Sequence, residues 1–414
     1  MMKNFKLIIP SVGMFLGLVS GALGQYPSWG HVGSLSILTT PDGGNLPASA
    51  VLEGFPLLVR LQGEFFNFKE AKANGEDIRF STGKGVILPY QIEEWNGEKG
   101  TASIWVRMPV IKGNALEEIR IHWGKADVAS ESSGKAVFNE TNGYLSVWHL
   151  NETVVDEVGT LESKDMGTGL IGGILGKARH FPGKQGIFCG EKIANYPSGA
   201  SPHSTEGWFR AEQPNTTIVG WGNEGGNRGS KVRMQFRSPA HVHVDSDFSD
   251  VWGKSTLPMK EWIQVVHTYE SGEGRIYING KLDGVAGPML NIKSPARFWI
   301  GGWYNNYDFV GDIDEVRISK VVRSAEWVKL QYENQKPMQT VVGPIVQVGN
   351  GFAVTPGLAT VEEGKRVTFK AEAGGALKLY WILKKGGVEK LLAVDQFSLE
   401  FEAGRVTGNQ AVIL

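Results

Sequence analysis

From residue 297 to 319 the chain reads RFWIGGWYNNYDFVGDIDEVRIS, and no other segment constrains the fold as tightly. Two strand-length stretches, 297–301 and 309–319, flank a loop rich in aromatic and amide residues. The second stretch alternates: Ile313, Glu315, Arg317 and Ser319 take one face, and Asp314, Val316 and Ile318 take the other. A period of two marks a half-buried strand, because successive side chains leave opposite faces of a sheet. Strict alternation sets Asp314 among the apolar residues. A carboxylate placed there needs hydrogen bonds, a counter-charge or a metal.

The pattern repeats along the chain. Short alternating runs are separated by Gly-rich turns, and 55 Gly with 13 Trp in 414 residues suit an all-β protein. That length predicts two or three domains. The net charge of −1 offers no basic excess for phosphate backbones, so nucleic acid is not an expected partner. The N-terminus has the form of a secretory signal over residues 1–24. Lys3 and Lys6 precede an apolar run, and Ala22-Leu23-Gly24 supplies small residues before Gln25. No later stretch is long and apolar enough to span a membrane. The expected location is therefore secreted, periplasmic or cell-surface. With a single cysteine, Cys189, no internal disulfide can form, and stability must come from packed cores.

Three units follow the leader. Residues 25–138 hold runs at 56–61, 77–81, 88–93, 102–108 and 118–123. In the last of these Ile119, Ile121 and Trp123 share one face, and Arg120 and His122 the other. This predicts a β-sandwich. Residues 142–334 hold some nine short runs, as two packed antiparallel sheets would. Asn279-Gly280 between GRIYI and KLDG predicts a type I′ hairpin, and Ser324 predicts the cap of a short helix carrying Trp327 and Leu330. A Pro/Gly/Val linker, 335–351, leads to a third unit, 352–414, which breaks off within a strand pattern, as a fragment of a longer protein would.

The motifs SVWHLNE, GKARHFPG, STEGWFR, EWIQVVHTY, GRIYINGKLDG and FVGDIDEVRIS stand in the order seen in laminin-G-like jelly rolls of the concanavalin A-like lectin/glucanase class. The middle unit resembles that family. NGEDIRFSTG, LPYQIEEW, ASIWVRMP and IRIHWGK make the first unit similar to an uncharacterised bacterial secreted domain. TVEEGKRVTFKAEAGG and LKLYWIL resemble the opening strands of an immunoglobulin-like domain, with Trp381 in a central strand and without the usual cysteine pair. The jelly-roll resemblance implies binding of carbohydrate or protein. It also implies a structural Ca2+ held by Asp314, with Asp156 as partner, although the usual Asp-x-x-Gly-x-Gly run is not clean here.

Three groups of residues carry the functional expectations. Trp303, Tyr304, Asn305, Asn306 and Tyr307 form the ligand-binding loop, where aromatic faces can stack on sugar rings and amides can bond hydroxyls. His241, His243, Asp245 and Asp247 line one strand face, read as a polar surface rather than a metal site, since residues two apart lie about 6.6 Å apart along a strand. Asp312 and Asp314 resemble superficially the carboxylate row of retaining glucanases, but Val316 stands where a third acid would follow. The sequence thus points to an all-β, surface-exposed bacterial protein that binds glycan through the jelly roll without catalysis. A structural or protein-interaction module of a larger envelope protein is the alternative, and a polysaccharide-degrading enzyme a weaker one.

Overall fold

The computed structural model describes residues 4–8, 26–159, 161–224, 227–304, 306–343, 345–347, 352–373, 380–385, 388–394, 396–404 and 410–413. The fold is all-β, as expected, with three two-sheet units in tandem.

In the first unit a five-stranded sheet is built around His31–Leu38, Leu116–Trp123 and Arg79–Thr82, and a three-stranded sheet orders Val51–Gln62, Thr101–Lys112 and Tyr90–Asn96. Ile119, Ile121 and Trp123 turn into the core, while His122 meets the Ser81 hydroxyl at 3.1 Å. This core also recruits distant chain. Val341, Val342 and Ile345 pack into it, and Val346–Gln347 adds a strand beside His31–Leu38. The segment expected as a linker, 335–351, connects the second and third units and also closes the first.

The jelly roll stacks two antiparallel sheets. One orders Lys164–Asp165, Ile187–Ile193, Ala296–Ile300, Thr216–Gly222, Lys231–Arg237, His241–Asp245 and Val251–Trp252. The other orders Gly169–Gly172, Lys177–Pro182, Val310–Ser319, His203–Ala211, Ile263–Glu270, Glu273–Ile278 and Lys281–Ala286, and Tyr144–Trp148 also pairs with Val310–Ser319. The apolar faces enclose Phe209, Trp221, Phe236, Val265 and Phe298 among others. Asn279 and Gly280, at φ 48° and 76°, make the predicted hairpin turn. Cys189 is fully buried in this core, and burial raises its thiol pKa well above the ordinary value, so it behaves as a small apolar side chain.

Strict alternation fails in the closing strand, Val310–Ser319. Glu206 pairs with Arg317 but Trp208 pairs with Asp314, so two steps on one strand oppose three on the other. The extra residue is a β-bulge, and Glu315 takes φ 52° there. Beyond it the faces exchange. Ile313, Val316 and Ile318 enter the jelly-roll core, while Asp314, Glu315 and Arg317 turn outward to the first unit. The expected placement of Asp314 with Val316 and Ile318 is therefore corrected.

The helix Ala325–Gln335 begins at Ser324, whose hydroxyl accepts the Trp327 N–H at 3.2 Å. Trp327 and Leu330 lie in the first core, as their spacing predicted. On the same helix the Asn334 side chain bonds the N–H and C=O of Leu58 at 2.7 and 2.9 Å, satisfying a backbone unit of Val51–Gln62 as a neighbouring strand would. Gln335 accepts from Trp208 Nε1 at 2.7 Å, which ties the helix to the jelly roll too. In the third unit Asn4–Ile8 pairs with Leu358–Glu362 and with Gln410–Ile413. The rest of the 1–24 leader lies outside the described residues. No helix among them is long and apolar enough to cross a membrane.

Candidate functional site

The two outer faces of the jelly roll are built from similar residues and serve different ends. The face that meets the first unit carries a buried charge network. His149 Nδ1 lies 2.6 Å from Glu315 Oε1 and 3.7 Å from a Glu93 oxygen, and its Nε2 meets Gln91 Oε1 at 3.1 Å. Glu315 also pairs with Arg317, which reaches Glu206 at 3.8 Å and lies over the Trp105 ring at 4.5 Å. Glu93 accepts from Trp105 Nε1 at 2.6 Å. Glu93 and Gln91 come from the first unit's strand Tyr90–Asn96, His149 from the end of Tyr144–Trp148, and the others from jelly-roll strands. The jelly roll pairs His149, Glu315, Arg317 and Glu206 among themselves, and the first unit adds Glu93 and Gln91 across the joint.

Burial explains their titration. Desolvation raises Glu93, Glu315 adds repulsion, and together they carry it to about 8. Burial alone would push His149 down, but Glu315 and Glu93 outweigh it and hold the imidazole at about 9. Burial opposes the charge on Glu315 as well, yet His149 and Arg317 keep its carboxyl below the usual range.

Glu93, His149 and Glu315 bring possible ligand atoms within 4.8 Å of one another. The 2.6 Å contact between His149 and Glu315 is a charge-assisted hydrogen-bond length. Two ligands on a tetrahedral Zn2+ would stand about 3.3 Å apart. The arrangement fits a proton between the two groups rather than a metal.

The residues expected to hold Ca2+ accept backbone N–H groups. Asp314 Oδ2 accepts the N–H groups of Ile174 and Leu175 at 3.0 and 3.2 Å. Burial, then Glu315 and Glu93, drive its pKa well above the carboxylate range. Asp156 accepts from Val147, Val158 and Leu161 at 3.0, 3.1 and 3.2 Å. The N–H donors take up both oxygens of Asp156 and Oδ2 of Asp314, while Asp314 Oδ1 has no hydrogen-bond partner among the described residues. Asp312 bonds His180 at 2.9 Å and Arg210 at 2.6 Å, so the acids of GDIDEV serve three separate partner sets.

The other outer face belongs to the sheet containing Lys231–Arg237 and His241–Asp245. Register places Thr217, Gln235, His243 and Trp252 in one row across it, and Trp299, Gly220, Arg233 and Asp245 in the next. His243 stacks on Trp252 at 3.8 Å and meets Asp250 at 3.2 Å. Trp252 remains 47 % exposed, and nearby in sequence Phe248 is 84 % exposed. The expected polar row is present: Asp245 and Asp247 pair with Lys231 at 3.5 and 2.7 Å, and His241 bonds the Ser255 carbonyl at 2.9 Å.

The aromatic loop folds down onto this face. Gly220 makes room, for a Cβ there would lie 2.6 Å from the Trp303 ring. Trp303 meets Trp299 edge-on at 5.3 Å and is nearly buried, as is Tyr307. Tyr304 stacks on Trp299 at 4.9 Å, stays partly exposed, and accepts the Glu224 N–H at 2.8 Å through its hydroxyl. Asn306 is exposed, and its backbone exchanges two 3.0 Å bonds with Trp303. Asn305 lies outside the described residues. Of the expected loop, Tyr304 and Asn306 face solvent, and Trp303 and Tyr307 form the bed beneath them. Trp252 was not expected; its position beside a His-rich alternating strand was the available signal.

Residues 192–329 match the family described as the concanavalin A-like lectin/glucanases superfamily (Laminin_G_3), and residues 74–148 match a domain of unknown function, DUF2341. The expected order, a domain of unknown function followed by a concanavalin A-like jelly roll, is thereby found. No curated protein matches the chain. Among solved structures, domain 4 of AbnA, a GH43 extracellular arabinanase from Geobacillus stearothermophilus, solved with arabinotriose, is 19 % identical. The match covers 46 % of this chain and 98 % of that one, at a TM-score of 0.38. The CBM40 of the Ruminococcus gnavus IT-sialidase, bound to α2,3-sialyllactose, is 13 % identical over 37 % and 96 %, at 0.31. The binding domain of Paraclostridial Mosquitocidal Protein 1 is 12 % identical over 61 % and 73 %, at 0.40.

Proposed function

We propose that this chain is an extracytoplasmic binding protein that recognises carbohydrate through the open face of its jelly roll. One observation carries the reading. The face bearing Trp252, Tyr304, His241 and Arg233 is left open by the first unit, and it combines partly exposed aromatic rings with partly exposed hydrogen-bonding side chains. Sugars meet such surfaces through their C–H faces and hydroxyl edges. The match to a lectin/glucanase family supports the fold on which the reading rests. The leader-like N-terminus supports a secreted, periplasmic or surface location; sequencing the mature N-terminus tests whether the leader is removed, and fractionation assigns the compartment.

A glycan array probed with the whole chain tests the binding. Wild type is expected to retain a defined set of glycans, and Trp252→Ala and Tyr304→Ala to lose them while melting near the wild-type temperature. An array with no glycan retained, with or without added calcium, would count against carbohydrate and favour the alternative of a protein-interaction module.

A further inference from the structure

We infer that the cleft between the first unit and the jelly roll is a second ligand site, built to take a sugar bearing a free amino group. The cleft has a volume of about 270 Å3, near the lower end of the range for small-molecule sites, and is lined by Glu93, Glu94, Asn151, Glu152, Thr153 and Lys177. It lies on the welded side of the jelly roll, away from the open face, and both units contribute to its walls.

Three features make it a built site. The Glu93 side chain is 1 % exposed, and its Oε1 has no partner among the described residues although the other oxygen holds Trp105. A buried oxygen without a partner is costly, and a ligand hydroxyl in the cleft would satisfy it. The opposite wall is held in place: Arg179 Nη2 donates to the carbonyls of Asn151 and Glu152 at 2.7 and 2.8 Å. Gly176, at φ 53°, closes against Glu94 so tightly that a Cβ would stand 3.0 Å from its Oε2.

The charges select the ligand. The carboxylates of Glu94 and Glu152 enter no ion pair among the described residues, and a single ammonium, Lys177, faces them. The surplus is negative, so a ligand ammonium is favoured over a ligand carboxylate. Asn151, Thr153 and Lys177 remain to bond hydroxyls. A one- or two-ring amino sugar satisfies all of these groups.

Calorimetric titration of the whole chain with the glucosamine disaccharide tests the assignment, with the N-acetylated disaccharide and a galacturonate disaccharide alongside. The amine is expected to bind, and acetylation to weaken binding about tenfold or more, the loss of one charge-assisted contact. Glu94→Gln and Glu152→Gln should each weaken it about tenfold, and Lys177→Met should strengthen it. Trp252→Ala should leave it unchanged, so failure here is separable from failure on the glycan array. Equal binding of the acetylated sugar, preference for galacturonate, insensitivity to both Gln variants, or no binding of the amine would each overturn the proposal. Glu152 is exposed, so its variant is not expected to disturb folding.

Discussion

The two outer faces of one jelly roll place charged residues on neighbouring strands with opposite results. On the welded face Arg317, Glu315, Glu206 and His149 have side chains no more than 2 % exposed, and each is held by a partner across the joint or along it. On the open face Arg233 and Asp245 are 18 % and 21 % exposed, pair loosely at 3.8 Å, and keep contact with water. The strands do not differ in kind. What differs is whether a second sandwich covers them. Covered charges must be paired and become architecture, whereas uncovered ones, although paired, keep contact with water from which a ligand can reach them.

The comparison breaks most readily at Arg317. Arg317→Leu leaves buried Glu206 without the cation it pairs with and Glu315 with His149 alone, and the expected loss is about 3–5 kcal/mol in denaturant unfolding of the whole chain. Arg233→Leu on the open face should lose less than about 1 kcal/mol. Equal losses would erase the distinction between the faces.

Alkali should loosen the welded face next. His149 is raised from its ordinary 6.5 to about 9, so its contribution is complete below about 6.5 and is lost as pH rises through 9. Glu93 is raised from 4.5 to about 8, so the native state binds the extra proton between those values, and stability again falls as pH rises. Glu315, lowered, acts in the opposite sense and weakens the fold only in acid. The denaturation midpoint is therefore expected to fall from pH 7 to pH 10, and Glu93→Gln should flatten the part below 8. A midpoint that rises over that range would show that the network does not hold these protons.

How much of this was legible from the sequence depends on how far apart the interacting residues lie. The Asn279-Gly280 turn, the Ser324 cap and the inward face of Ile119, Ile121 and Trp123 are local patterns, and each is present. The bulge at Glu315 is local too, but Glu carries no mark of a positive φ as Gly or Asn would. One unmarked residue reversed the faces of the strand that had seemed the best defined. Glu93 and Glu315 are brought together only by the packing of two units, which no period along the chain encodes. The loop aromatics were legible as a cluster, but their burial depended on Gly220, about eighty residues away, leaving room on the sheet.

Calcium offers a smaller effect with a sharp reading. Since backbone N–H groups are aimed at Asp314 and Asp156, adding Ca2+ or chelator is expected to leave the melting midpoint of the whole chain in place. A ligand bound only to the native state raises that midpoint, so a rise with Ca2+ would restore the metal reading.

A pair of tryptophan substitutions separates the bed of the open face from its surface. Trp303 is nearly buried over Gly220 and against Trp299, so Trp303→Ala removes packed aromatic area and should destabilise by about 3 kcal/mol. Trp252 shows 47 % of its surface to solvent, and Trp252→Ala should lose less than about 1 kcal/mol while abolishing any glycan binding. If Trp252 proved as costly as Trp303, its exposure would not mark an available ring, and the face would be structural like its welded counterpart. If Trp252→Ala kept both full stability and full binding, recognition would have to move to the ring of Tyr304 at the other end of the sheet.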